Sequence, residues 1–470
     1  MKVIFCTISL LLSLNTFGQN QFAGNWEGKL DVGPGLRIMF HIAEENGKLT
    51  ATMDSPDQGA TGLAVNNTEV KGDSLFMNIA VVRGKYAGRL TDAQTISGQL
   101  QQGTKAMPLD LKKTERASSY NRPQTPKAPY AYKSEDVTYT SSDQSITYGA
   151  TITIPQGEGP FPAVLLVSGS GQQNRDEEIF EHKPFAVIAN CLTNAGYVVL
   201  RVDDRGVGKT TGNPATATTD DFVADATTGF NYLLSRKETD AKKTGILGHS
   251  EGGLIAEIMA AENKNIAFAI LNGAPGIPIT ELMVEQNRAV LLQAGMSKEL
   301  TDKYLDLYRS ICKATIQAAN ASEAKKLIAS AIRTWRANTD AATVMLTTGI
   351  TNDETEQKII EKTQAEFTTH WFRKFLSYNP QRYLSNVSCK VLAIGGEKDI
   401  QVIPASNLAG IKAALKKSKS KSYEVKELPG LNHLLQTCKT CTPQEYKELE
   451  ETIAPTALET IREWLDKEVK

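Results

Sequence analysis

The chain has 470 residues, of which 41% are hydrophobic and 22% charged, and its formal net charge is −1. That balance fits a globular protein of two or three domains. With no excess of either sign, it excludes general electrostatic attraction to nucleic acid or to an anionic membrane surface.

In chain order, Met1-Lys2 gives a basic start, residues 3–12 an apolar core, and Thr16-Phe17-Gly18 small residues ahead of Gln19. Residues 1–18 therefore read as a signal peptide, too short and wrongly flanked for a membrane span. No second long apolar run follows, so the mature chain is expected to be exported, periplasmic or secreted, and soluble. Of six cysteines, Cys6 goes with the signal, and an odd number remains, which is no disulfide framework. Cys438-Lys439-Thr440-Cys441 reads as a redox pair, half a zinc site or a local disulfide. No second pair completes a zinc site, and an oxidising compartment favours the disulfide.

Residues 19–115 read as an all-β domain, a small antiparallel barrel or sandwich. Short alternating runs recur at 36–42, 48–53, 74–79, 85–90, 95–100 and 107–111, separated by turns such as Asn46-Gly47 and Lys71-Gly72-Asp73. Trp26 is expected to anchor the core. His41 is a lone histidine in an alternating strand and is read as a surface or hydrogen-bonded residue. Residues 116–134, rich in Pro and polar residues, read as an extended linker.

From residue 135 to 470 the pattern is α/β. A hairpin at 137–139 and 146–155 precedes alternating strands and helices. Residues 163–167 form a continuous apolar run, as a parallel strand buried on both faces requires. A helix over 183–195, a strand over 197–202 and a helix over 219–235 with Asp220 near its cap follow. The next strand, 244–247, leads into Gly248-His249-Ser250-Glu251-Gly252-Gly253 and an apolar helix. A serine in a tight strand-to-helix turn needs small neighbours at Gly248 and Gly252. After a strand at 266–271, residues 279–378 read as a helical insertion, a lid over the carboxyl ends of the strands. Strands at 390–394 and 423–428 and helices at 405–416 and 455–467 complete the chain.

These positions define a nucleophilic site. Ser250 needs a base, and only His370 and His433 follow it. His370 lies in the insertion beside Trp371-Phe372 and is read as a lid or surface residue. His433 lies in the loop after the last strand, where a base belongs. Asp399 ends the preceding strand and is the candidate acid, with Glu397 second. An oxyanion hole needs two N–H donors. The Glu251 backbone supplies one, and the loop Ser168-Gly169-Ser170-Gly171 supplies the other from Ser170, with Gly171 as second choice. Gly206-Val207-Gly208-Lys209-Thr210 imitates the end of a phosphate loop, but Asp203 stands where the motif needs Gly. Residues Asp203, Asp204 and Arg205 are read as a structural ion pair.

Residues 169–171 with Asn174-Arg175-Asp176-Glu177, the run 203–209, the elbow 248–253, residues 395–399 and Leu431-Asn432-His433 together resemble the α/β-hydrolase superfamily. More narrowly, they resemble exported bacterial carboxylesterases of the EstD type, and the run 203–209 is the more specific part of the match. This chain carries Asn174 where the related loop reads Asp. The resemblance implies an α/β-hydrolase fold, a small-molecule ester substrate, no cofactor or metal, and a triad of Ser250, Asp399 and His433. A peptidase or thioesterase using the same triad is the alternative enzyme, and an envelope ligand-binding protein the non-enzymatic one.

Overall fold

A computed structural model describes residues 20–470 apart from 33–34, 46, 59 and 116–119. The signal-peptide reading, the Asn46 half of one expected turn and the first linker residues lie outside the described residues. The chain forms two compact units, one of residues up to 121 with 179–181, the other of residues 122–178 and 182–470.

The first unit is antiparallel: β1 Gly24–Leu30, β2 Leu36–Glu45, β3 Lys48–Ser55, β4 Ala60–Ala64, β5 Asn67–Lys71, β6 Ser74–Ile79, β7 Gly84–Asp92, β8 Thr95–Gln102, β9 Lys105–Pro108 and β10 Leu111–Thr114. Pairing runs β4-β3-β2-β1-β10-β8-β7-β6-β5, with β9 on β8. One sheet curls around one core, so it is barrel-like rather than a two-sheet sandwich. The period-2 pattern explains the inner face: Leu75, Met77 and Ile79 point in while Phe76 and Asn78 point out. Trp26 is fully buried, and its indole N–H donates to Phe22 O at 2.8 Å. His41 is hydrogen-bonded between Asn25 Oδ1 and Asp54 Oδ2, each at 2.7 Å. Strand β5 has no full apolar face of its own, only Val70 among Asn, Thr, Glu and Lys, and it forms because β6 pairs with it.

The second unit holds an eight-stranded sheet of β11 Lys133–Thr140, β12 Thr147–Ile154, β13 Phe161–Val167, β14 Val198–Val202, β15 Thr239–His249, β16 Phe268–Asn272, β17 Lys390–Gly396 and β18 Tyr423–Leu428. The order is β11-β12-β14-β13-β15-β16-β17-β18. Pairing is antiparallel through β11, β12 and β14 and parallel from β14 to β18. Helices cover both faces, so the central strands are apolar throughout. Helices α1 Pro184–Asn194 and, later, α12 Pro455–Glu468 pack on Val164, Leu166, Leu247, Ile270 and Leu392. Helices α2 Thr219–Ser235, α3 Glu251–Glu262 and α11 Pro404–Leu415 cover Leu165, Val198, Ile246 and Leu271 on the other face. The α2 start is capped by Thr218 with Asp221 in a reciprocal capping box, with Asp220 in the first turn beside it.

Between β16 and β17 come α4 Ile279–Gln293, α5 Lys298–Gln317, α6 Ala321–Ala337, α7 Ala341–Thr348, α8 Asp353–Phe367, α9 His370–Phe375 and α10 Pro380–Leu384. Their apolar stripes form a second core of Leu305, Ile311, Ile328, Ile332 and Ile360, which Leu254 and Ile258 of α3 join. Part of the Pro-bearing stretch before β11 is fastened to this same unit. Arg122 donates to the carbonyls of Leu449 and Lys447, and Gln124 donates to Ile453 O at 2.7 Å. Cys438 and Cys441 form a disulfide across three residues of sequence.

Candidate active site

The site begins with backbone geometry at the end of β15. Ser250 has φ 55° and ψ −120° and is the residue before α3. A non-glycine residue held there stores strain of about 1–3 kcal/mol, and its surroundings must impose it. They do so by close packing. A Cβ on Gly252 would lie 2.1 Å from Val167 O, and one on Gly248 would lie 2.0 Å from Gly252 O. The turn is therefore jammed against the end of β13, and the serine side chain is thrown outward. The Ser250 N–H donates to Asn272 O at 2.9 Å, at the end of β16.

The next residue, Gly273 (φ 54°), marks where the other groups converge. A Cβ there would sit 3.3 Å from the His433 ring and 3.7 Å from Asp399 Oδ2. Asp399 follows β17 and is 3% exposed. Its Oδ1 accepts from the N–H groups of Gln401 and Val402 at 2.7 and 2.9 Å, and its Oδ2 lies 2.7 Å from His433 Nδ1. With both oxygens engaged as acceptors, the carboxylate fixes the proton on Nδ1 and leaves Nε2 as the basic nitrogen of the neutral ring. The alternative acid, Glu397, faces solvent. It pairs with Lys398 and accepts from Gly430 N–H at 2.9 Å, so it braces the His433 loop from outside. His370 is exposed at the start of α9.

The loop after β13 is set by two carboxylates, half-buried Asp204 and buried Glu177. Ser168 Oγ and Gln173 N–H donate to Asp204 at 2.8 and 2.9 Å. Burial pushes the Asp204 carboxyl up to about 7, against those two hydrogen bonds. Gly169 N–H donates to Glu177 Oε1 at 2.6 Å. The Ser170 and Glu251 N–H groups have no acceptor among the described residues, which leaves both open to an oxyanion. A cavity lies behind this loop, lined by Leu165, Val167, Phe222 and Ile255 with Asp204 and Glu251.

The Asp203-Asp204-Arg205 run does not pair with itself. Successive side chains of an extended segment point to opposite sides. Asp203 takes a bidentate pair with Arg175 at 3.0 and 2.6 Å. Arg205 takes Asp225 at 3.0 and 2.9 Å. Asn174 serves through its oxygen, which accepts from the N–H groups of Asp176 and Glu178. Its amide N–H also donates to Glu178 Oε2 at 3.1 Å, a bond that Asp could not make.

Two residues inside recognised motifs have partners that spacing alone does not reveal. The Glu251 side chain, 2% exposed, accepts from Thr219 Oγ1 at 2.7 Å and from Trp371 Nε1 at 2.9 Å, which ties the elbow to α9 of the insertion. Burial raises its carboxyl above the usual range, opposed by bonds from Trp371, Thr219 and Ser170. His249, the residue before Ser250, touches Glu177 Oε1 through Nδ1 at 2.9 Å and His433 O through Nε2 at 3.1 Å. Its position inside the elbow was the available signal, but nothing in the spacing says which distant loops it joins. Among the described residues, no group of three or more His, Cys, Asp or Glu is arranged to hold a metal ion, and no helix is long and apolar enough to cross a membrane.

A mixed eight-stranded sheet with helices on both faces and a serine turn after its central strand defines an α/β-hydrolase. The chain belongs to the hydrolase family described as serine aminopeptidase, S33, whose profile matches residues 181–437. It is 33% identical to the esterase EstD of Thermotoga maritima over 159 residues, which is 34% of this chain and 36% of that protein. It is 31% identical to acyl-coenzyme A thioesterase 3 of Mus musculus over 128 residues, 27% of this chain and 26% of that one. The chain thus spans well under two thirds of either relative. Among solved structures, the Pyrococcus furiosus esterase Pf2001 is similar over 76% of this chain and 100% of its own, at 16% identity and a TM-score of 0.42.

Proposed function

We propose that the protein is a serine carboxylic-ester hydrolase acting on small to medium esters through an acyl-enzyme. The observation that carries this reading is the His433 Nδ1 to Asp399 Oδ2 bond, beside the turn that accepts the Ser250 N–H. In this mechanism, Ser250 Oγ attacks the ester carbonyl and His433 Nε2 takes its proton. Asp399 stabilises the imidazolium that forms. The carbonyl oxygen, now negative, is received by the N–H groups of Ser170 and Glu251. Collapse expels the alcohol, which takes the proton back from His433. Water then repeats the sequence on the acyl-enzyme and frees the acid.

The printed names of the aligned relatives, an esterase and a thioesterase, support acyl transfer to water. The family description raises the amide alternative. The same residues serve esters, thioesters and amides, so a competition between substrates decides. Short-chain nitrophenyl esters are expected to be cleaved faster than aminoacyl nitroanilides and acyl-coenzyme A. A preference for the nitroanilides by orders of magnitude would replace the ester reading. A fluorophosphonate probe should label the wild type and leave Ser250→Ala unlabelled. Asp399→Asn should lower kcat by about four orders of magnitude with little change in KM.

We further propose that the chain acts outside the cytoplasm, after cleavage near Gln19. The Cys438–Cys441 disulfide supports this, since such bonds persist in oxidising compartments. N-terminal sequencing of protein recovered from the periplasm or medium should begin near Gln19. Recovery of full-length chain from the cytoplasm alone would overturn the export reading.

A further inference from the structure

Beneath the reacting groups lies a second histidine–acid pair that the hydrolytic cycle does not use. His249 and Glu177 are each 5% exposed. His249 Nε2 lies 3.1 Å from the His433 carbonyl oxygen, and a carbonyl oxygen only accepts, so Nε2 carries a proton. His249 Nδ1 lies 2.9 Å from Glu177 Oε1, the oxygen that also receives Gly169 N–H at 2.6 Å. Oε1 thus faces Gly169 N–H and the His249 ring at once, and with Glu177 as a carboxylate these contacts fit a ring protonated on both nitrogens.

We propose that Glu177 and His249 form a buried carboxylate–imidazolium pair that acts as a positioning clamp for hydrolysis. It joins three loops at once: the oxyanion loop through Gly169 N–H, the nucleophile turn through His249 itself, and the base loop through the His433 carbonyl. The inference rests on the serine-hydrolase reading above. Neither residue touches the reacting atoms, and each works through a neighbour. The clamp also explains the left-handed backbone at Glu177 (φ 51°), which turns its side chain from a half-buried loop into the interior.

The groups facing His249 are Glu177, His433 and, within electrostatic reach, Asp399; Asp204 in turn senses Glu177. Burial opposes the charge on His249, but Glu177, the His433 carbonyl and Asp399 outweigh it and hold the ring above its ordinary value of 6.5. Because the basicity is raised, the cation is complete at low pH and is lost as pH rises through the folded value. The clamp therefore fails on the alkaline side.

The test uses the full-length protein with 15N-labelled histidine. At pH 7.5 the wild type and Ser250→Ala should both show a pair of ring N–H resonances that is absent in His249→Asn. Glu177→Gln keeps the shape and removes the charge, so that ring should become neutral with a single N–H. The same variant should lose about 10- to 100-fold in kcat and in the fluorophosphonate labelling rate, as expected for a misplaced reacting group, with KM changed less than about threefold. Its alkaline limb should move to lower pH. A bare Nδ1 on His249 in the wild type, or wild-type kcat and pH profile in Glu177→Gln, would overturn the clamp. Failure of the serine mechanism gives a different result: unlabelled wild type, whatever the histidine spectrum.

Discussion

At the scale of single residues, buried acids differ in the partners that their surroundings supply. Asp399 is wrapped in N–H donors. Glu257 is the opposite case. It is fully buried in α3, with no hydrogen-bond partner on either oxygen among the described residues. Burial holds its carboxyl well above the ordinary value of 4.5, so it stays neutral. Since the folded value is raised, its contribution to stability is intact below 4.5 and erodes as pH climbs toward the folded value. Glu257→Met removes an unsatisfied buried group and should raise stability by about 1–3 kcal/mol. The gain should be larger at pH 8 than at pH 5 in urea unfolding. Equal gains at both would show that the carboxyl does not titrate with folding.

At the scale of elements, the insertion is attached to the elbow by one shared carboxylate. Glu251 accepts from α2 through Thr219 and from α9 through Trp371, whose ring stacks on Phe375 at 5.3 Å between centroids. The Asp220 side chain adds a second tie, to Lys374 at 2.6 Å and to the Tyr378 hydroxyl. Trp371→Phe and Thr219→Val should each cost about 1–3 kcal/mol by leaving Glu251 short of a donor. Because both donors serve one acceptor, the double variant should depart from additivity by at least about 0.5 kcal/mol. Additive losses in thermal or urea unfolding would mean that the two contacts are independent. The legibility of elements followed the same division. Strands buried on both faces, such as β13, announce themselves as unbroken apolar runs, and α2 begins and ends where its periodicity says. Strand β5 does not, because its partner rather than its composition makes it a strand. The triad candidates were legible because each follows a recognisable strand. The Glu177–His249 link was not, since it depends on a left-handed turn that brings two distant loops within one hydrogen bond.

At the scale of the whole molecule, the sheet divides the labour between early and late parts of the chain. β13, β14 and β15 build the centre with the candidate oxyanion loop and the serine turn. The proposed acid and base, Asp399 and His433, follow β17 and β18 at one edge of the sheet, after seven helices have intervened. In chain order, the serine turn is therefore made well before the loop that carries its proposed base. Under the proposed mechanism, a chain truncated before the His433 loop holds the nucleophile inert. A series shortened from the C terminus should therefore label with the fluorophosphonate probe only when the chain extends past His433.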